Sequence, residues 1–96
     1  MKESKKLGEK YDDGKLLLNL LPPYAEEKIA EVLTFGANKY EPDGWRYVEK
    51  AEERYLAACM RHILAYRKGL KQDDESGLSH LAHAACCLMF LLELEE

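Results

Sequence analysis

Positive charge is in short supply in this chain: 14 lysines and arginines stand against 18 aspartates and glutamates, for a net charge of −4. Proteins that hold nucleic-acid polymers neutralise runs of phosphates with a basic face, so no polymer-binding function is expected. A single nucleotide needs only a local cationic pocket, which this balance still allows. Cysteine is sparse as well. Cys59, Cys86 and Cys87 are odd in number and contain no CxxC spacing, so they read as small core residues in a reducing cytoplasm rather than zinc ligands. No apolar run approaches the ~20 residues that a bilayer span needs, the greasiest being Ala84 to Leu92. The opening MKESKKLGEKYDDGK lacks the apolar stretch of a secretory leader. Strand-like alternation, internal repeats and low-complexity segments are missing too. These absences predict a cytoplasmic, all-α protein with no membrane association.

What is present suits one small domain spanning residues 1–96, since 47% of the residues are hydrophobic and 33% are charged. Residues 1–15 are charged, with Gly8 and Gly14, and read as a flexible arm that a ligand or a neighbouring subunit orders. Leu16 to Leu21 (LLLNLL) predicts a turn into Pro22-Pro23, which suits a helix start. Ala25, Ile29, Val32, Leu33 and Gly36 form a buried stripe on a first helix ending near Lys39 or Tyr40, and Gly36-Ala37 would permit close helix approach. The segment EPDGWR reads as a loop. A second helix runs from about Ala51 to Lys68, is stopped by Gly69, and has Tyr55, Leu56, Cys59, Met60, Ile63 and Tyr66 as its apolar face. Arg54, Ala58, Arg61 and Ala65 line another of its faces.

The chain is organised around Asp73 to Leu92, DDESGLSHLAHAACCLMFLL. Asp74 or Ser76 would cap a third helix that looks buried on all sides. Its apolar surface exceeds what two partner helices of one small chain can cover, which predicts a homo-oligomer, a dimer or a tetramer.

His80 and His83, three residues apart, share a helix face, and His62 is the remaining histidine. An HxxH pair supplies half of a zinc or manganese site. The carboxylates Glu27 and Glu31, Asp73 and Glu75 would suit a hard cation such as magnesium. Lys39, Arg46 and Arg61, with Lys15 in reserve, form a positive set, and Lys39 and Arg46 flank a loop carrying Tyr40 and Trp45. Cations beside aromatics can clamp a phosphate and stack a base. Hydrogen-bonded rim histidines, solvated charges and a tryptophan packed under its loop are the plain alternatives, and residue types alone do not choose. They suggest a phosphorylated ligand bound together with a metal.

The strings LPPYAEEKIAEVLTFGANKYEPDGWR, RYLAACMRHILAYRKG and DDESGLSHLAHAACCLMFLLELE together resemble the MazZ family of phage dATP/dGTP diphosphohydrolases. That family is related to the all-α MazG-like nucleotide pyrophosphohydrolases. The likeness extends over nearly the whole chain, including Gly14-Lys15 and the proline pair. It implies a small helical bundle completed by oligomerisation, in the cytoplasm of a bacterial host, phage- or prophage-encoded. It also implies hydrolysis of a purine deoxynucleoside triphosphate, dATP or dGTP, to monophosphate and pyrophosphate, with magnesium or manganese as cofactor. Carried onto this sequence, the resemblance assigns Glu75, His80 and His83 to the metal or catalytic cluster, with Asp73 supporting them and Glu31 a further metal ligand. His62 becomes a general base or a group that steadies the ligands from behind. Lys39, Arg46 and Arg61 would hold phosphates, Trp45 would lie near the base, and Lys15 would close over the site from the arm.

The sequence departs from the MazG-like pattern at instructive places. Glu26, Glu27 and Glu31 approximate an EExxE motif whose last member comes one residue late. His80-xx-His83 stands where ExxD is expected, and Cys87 where asparagine is common in the family. Imidazole suits magnesium poorly, so the pattern implies a softer metal, fewer metals, or histidines that touch phosphate directly. The alternative function is a nucleotide-binding or sensor module that has lost the full metal cage.

Overall fold

Proline sets where helix formation begins. The computed structural model describes residues 13–96. In it helix α1 spans Pro23–Lys39, and the N–H that Pro23 lacks falls among first-turn donors that have no intrahelical partner anyway. The N–H of Tyr40 closes the last turn on the Gly36 carbonyl at 2.7 Å. Helix α2 spans Ala51–Arg67, and Gly69, at φ +93°, lets the chain leave it in a left-handed conformation. Helix α3 spans His80–Leu94. Short 3-10 turns occupy Leu18–Leu20 and Gly44–Tyr47. Among the described residues there is no strand, only an isolated antiparallel bridge between Gln72 and Ser79. The all-α bundle expected from the sequence is what is found. Of the arm expected over residues 1–15, the first twelve lie outside the described residues, and Asp13, Gly14 and Lys15 are exposed.

Helix α3 begins later than its sequence suggests. Ser79, not Asp74 or Ser76, is the N-cap, its hydroxyl accepting the Leu81 N–H at 3.0 Å. Asp73 and Ser76 are engaged in the preceding loop, which delays the helix by about one turn.

The core is a seam of small side chains on α3. Ala82 and Cys86 meet Val32 of α1, with Ile29 and Leu78 alongside. Ala84 and Cys87 meet Cys59 of α2, with Tyr55 and Ala58 alongside. Thus α3 lies between α1 and α2, and among the described residues α1 packs on α3 but not on α2. Tyr55 neighbours Phe90, Cys59 neighbours Ala84, and His62 neighbours His80, so α2 and α3 run antiparallel. The three cysteines are buried and free, as expected of core residues. Burial pushes the Cys86 and Cys87 thiols up to about 11, so neither is a thiolate near neutral pH.

The expectation that α3 is buried on all sides does not hold within one chain. Leu81, Leu88, Met89 and Leu92 are exposed on it, as are Leu56, Met60, Ile63 and Leu64 on α2 and Leu16 to Leu18, Leu20 and Leu21 before α1. Nor does Gly36 serve a close helix approach, because an added Cβ there would meet nothing within 4 Å.

Two alanine substitutions test this backbone in opposite directions. Gly36 sits inside α1 with open space, so Gly36→Ala should stabilise the chain by about 1 kcal/mol. Gly77, at φ +73°, leaves any side chain in the left-handed region, so Gly77→Ala should destabilise it by ~1–2 kcal/mol. At ~4–8 °C per kcal/mol for a domain this size, thermal melts should move upward for the first and downward for the second. Shifts of the same sign would contradict the loop geometry.

Candidate functional site

The loop between α2 and α3 closes on itself and delivers its side chains to one point. The His80 N–H donates to the Lys71 carbonyl at 2.9 Å, and the Asp73 N–H to the Leu78 carbonyl at 2.8 Å. Asp73 Oδ2 accepts the backbone N–H groups of Glu75, at 3.1 Å, and Ser76, at 3.0 Å. This side-chain turn fixes the carboxylate. Ser76 Oγ in turn accepts the Leu78 N–H at 3.1 Å and lies 2.7 Å from His83 Nε2.

All three histidines meet here. His62 projects from α2, while His80 and His83 occupy the first turn of α3. The Nδ1 atoms of His62 and His80 are 2.8 Å apart, so one carries a proton that the other accepts. The His62 ring also stacks on His83, with centroids 4.6 Å apart and planes within 11°. One ligand atom each from His62, Asp73 and His80 lies within 4.8 Å of the others, a spacing at which three donors can share one ion. A Ser-His-Asp relay does not form. Asp73 Oδ2 approaches His83 at Nε2 (4.0 Å), the nitrogen Ser76 already engages, and not at the far nitrogen such a relay requires.

The cluster opens into a groove of about 1050 Å³ between α1 and α2, floored by α3. His83, Cys86 and Phe90 follow i, i+3, i+7 spacing on that floor. At one end are His62, His83, Asp73 and Glu75. At the other, about two helical turns or ~10 Å along α2 and α3, are Trp45, Tyr55 and Phe90. Trp45 stacks on Phe90, with centroids 4.4 Å apart, and Tyr55 donates from its hydroxyl to the Trp45 carbonyl at 2.9 Å.

Lys39, Trp45, Arg61, His62, Asp73, Glu75 and His83 all line this groove, as a shared site would require. Lys39 and Glu75 form an ion pair with each other across it. His80 sits buried behind His62. The remaining candidates lie elsewhere. Arg46 places its guanidinium over Trp45, 4.5 Å from the ring centroid, and reaches towards Glu93 at 3.9 Å, so the indole ring packs against both Phe90 and Arg46. Glu31 lies outside the groove beside Lys28, at 3.6 Å. Lys15 is exposed before α1 and does not line the groove. Sequence reasoning gave Phe90 no role, took Ser76 only as a helix cap, and placed Arg54 on a face with Arg61 without making it a site residue. Arg54 stands seven residues before Arg61 on one face of α2, and Phe90 seven after His83, so helical spacing carried a signal for both.

Electrostatics favour neutral imidazoles beside a charged carboxylate. Burial, then repulsion by His83 and His80, holds His62 below the usual histidine value of 6.5. Burial likewise depresses His83, against the opposing pull of Asp73. For Asp73, burial acts to raise the value, but hydrogen bonds from Ser76 and attraction by His83 and His62 outweigh it, so the carboxyl titrates below its ordinary range.

Comparison with known proteins adds a family to this geometry. Residues 5–96 match the family described as dATP/dGTP diphosphohydrolase, N-terminal. A dATP/dGTP diphosphohydrolase of Salmonella phage PMBT28 is 44% identical to this chain over 87 residues, covering 91% of this chain and 29% of that protein. The chain therefore spans less than a third of the length of that curated relative. No solved structure matches it.

The depressed histidines make stability fall in acid. An unfolded imidazole takes a proton near pH 6.5, whereas His62 and His83 resist until lower pH. The unfolded chain then binds more protons, so this contribution is complete above about pH 6.5 and is lost as pH drops through the folded values. In chelator, the melting temperature should decline from pH 7 to 5, and His62→Gln should flatten that slope. An equal slope in the variant would place the acid-sensitive groups elsewhere.

Proposed function

Because this chain belongs to the family of dATP/dGTP diphosphohydrolase N-terminal domains, we propose that its groove binds a purine deoxynucleoside triphosphate and hydrolyses it to monophosphate and pyrophosphate. A divalent ion, magnesium or manganese, would be the cofactor. The observation that carries this is a single groove in which an imidazole–carboxylate cluster stands ~10 Å from an aromatic patch. That arrangement suits a ligand with a flat base at one end and a phosphate chain at the other.

Each wall then has a task. Tyr55 and Phe90, with the edge of Trp45, form the apolar end against which a base can lie. Arg61 and Lys39 bring positive charge to the phosphates, and Arg54 extends that charge along α2. Asp73, His62 and His80 would hold the ion, which when bound neutralises phosphate charge and polarises the phosphoryl oxygens. His83, kept neutral by burial, is the proton acceptor for the attacking water, which would take the place of the Ser76 hydroxyl at Nε2. The water oxygen bonds to the α-phosphorus, the bond from that phosphorus to the bridging oxygen breaks, and pyrophosphate leaves. The exposed leucine stripes on α2 and α3 fit a homo-oligomer, a dimer or a tetramer, in the cytoplasm of a phage host.

Glu31, outside the groove beside Lys28, favours a second possibility: a module that binds the nucleotide but lacks the carboxylates to hydrolyse it.

Product analysis with the four deoxynucleoside triphosphates, in manganese, in magnesium and in chelator, separates the two. Monophosphate plus pyrophosphate appearing only with metal is the expected result, whereas saturable binding without turnover would leave the sensor. His83→Ala should lower kcat by at least about 100-fold with little change in melting temperature, and unchanged kcat would remove it from the chemistry. Arg61→Ala should weaken triphosphate binding by roughly 10- to 100-fold, the loss of one charge-assisted hydrogen bond.

A further inference from the structure

Three features of the molecule are left over once the groove is described: the exposed leucine stripes, the paired Lys39 and Glu75 at the groove wall, and the contact between His62 and His80. The last carries an inference. Two imidazole nitrogens at 2.8 Å need to part by only a few tenths of an ångström to share one ion, since donors ~2.0–2.1 Å from a metal are ~2.9 Å apart at right angles and ~3.4 Å apart in a tetrahedron.

We propose that His62 Nδ1, His80 Nδ1 and Asp73 form the primary binding site for a borderline first-row divalent ion such as manganese, cobalt or zinc, in preference to magnesium. The proposal rests on the hydrolase reading for its use, and on side-chain placement for its chemistry. Imidazole nitrogen binds such ions well, whereas magnesium takes oxygen ligands and sheds its water reluctantly. The oxygen donors that magnesium would need are not gathered at this point. Glu31 lies with Lys28, and Glu75 is engaged by Lys39. Asp73 alone supplies carboxylate oxygen to the histidines.

The second layer of the site is in place. Asp73 Oδ2 is anchored by the N–H groups of Glu75 and Ser76, and among the described residues Oδ1 accepts no hydrogen bond and is left for an ion. His80 is fixed by burial at the start of α3, and His62 by stacking on His83. Loading the ion breaks the hydrogen bond between the two Nδ1 atoms, and the ring that carries its proton on Nδ1 moves it to Nε2, so the pair keeps its protons as the ion enters. His62 thus becomes a ligand rather than the general base, or the group steadying the ligands from behind, that the family resemblance implies.

Metal binding by the purified chain, read without any nucleotide, tests this. Chelator-stripped protein is titrated with cobalt, zinc, manganese and magnesium by calorimetry, and cobalt is also followed by its visible absorption. Cobalt and zinc should bind one ion per chain at least 100-fold more tightly than magnesium. His80→Gln and His62→Gln, checked for helicity by circular dichroism, should each weaken cobalt binding by 10- to 100-fold. Glu31→Ala should leave it unchanged. Magnesium binding as tight as cobalt, or affinity lost in Glu31→Ala and kept in His80→Gln, would overturn the proposal in favour of a carboxylate cage. If a variant fails to fold, the imidazole nitrogen resonances of the unmutated chain decide. Zinc should shift Nδ1 of His62 and His80, and a shift confined to Nε2 or absent altogether would refute the site. Failure of the hydrolase reading looks different: cobalt would bind as described while no triphosphate is turned over with any metal.

Discussion

The close approach of α2 to α3 is the constraint on which the rest depends. The buried apolar side chains that α3 sets against α2 are Ala84 and Cys87, and those it sets against α1 are Ala82 and Cys86. Side chains this small let backbones draw together, and that closeness brings His62 of α2 to 2.8 Å from His80 of α3. A bulky residue at Ala84 would force the helices apart just where the imidazoles meet. The same economy keeps the core thin. At ~25 cal/mol per Å² of apolar surface buried, alanines and cysteines contribute far less than leucines would. The large leucines instead sit on exposed stripes, so a single chain leaves uncovered the apolar surface most able to stabilise the domain.

Much of this was legible in the sequence because it depends on local spacing. The boundaries of α1 and α2 follow from Pro22-Pro23, Tyr40 and Gly69, and the shared face of His80 and His83 follows from i, i+3 geometry. What local spacing cannot convey is which of several capping residues wins. Asp73, Ser76 and Ser79 all have capping chemistry. The outcome is set by the bridge between Gln72 and Ser79, a contact formed only after the loop has folded back. Glu31 illustrates a second limit. Its place in an EExxE-like string suggested a ligand, but a one-residue offset on a helix rotates a side chain by about 100°, and here it lies with Lys28. Trp45 illustrates a third: an aromatic next to a cation looks the same in sequence whether the cation awaits a ligand or, as Arg46 does, covers the ring.

Three imidazoles, with His62 in contact with both His80 and His83, set the electrical character of the site. Were all of them protonated, like charges would lie within a few ångströms of each other in a half-buried place, so burial and repulsion hold His62 and His83 below 6.5. Asp73 acts the other way, and its own charge is secured by two backbone N–H groups that a neutral carboxyl would use less well. The loop and the cluster therefore support each other. The turn holds the carboxylate ionised, and the carboxylate makes room for positive charge among otherwise neutral rings. Positive charge there can be a proton in acid or a cation near neutral pH.

The groove wall next to that cluster is arranged for exchange. Lys39 and Glu75 are both well exposed, and an exposed ion pair is held by no more than about 1 kcal/mol. A phosphate chain presents several anionic oxygens at once and makes hydrogen bonds to cations worth ~1.5–3 kcal/mol each. Under the proposed function, such a ligand competes successfully with Glu75 for Lys39. Glu75 sits one peptide N–H from Asp73 in the turn, so once freed it is tethered beside the histidine cluster rather than lost to solvent. Arrival of the triphosphate would then do two things at one stroke: it would place phosphate against Lys39 and return a second carboxylate to the end of the groove where positive charge is held. Under that reading, the pairing of Lys39 with Glu75 would be the resting arrangement of a site whose partners exchange when substrate enters.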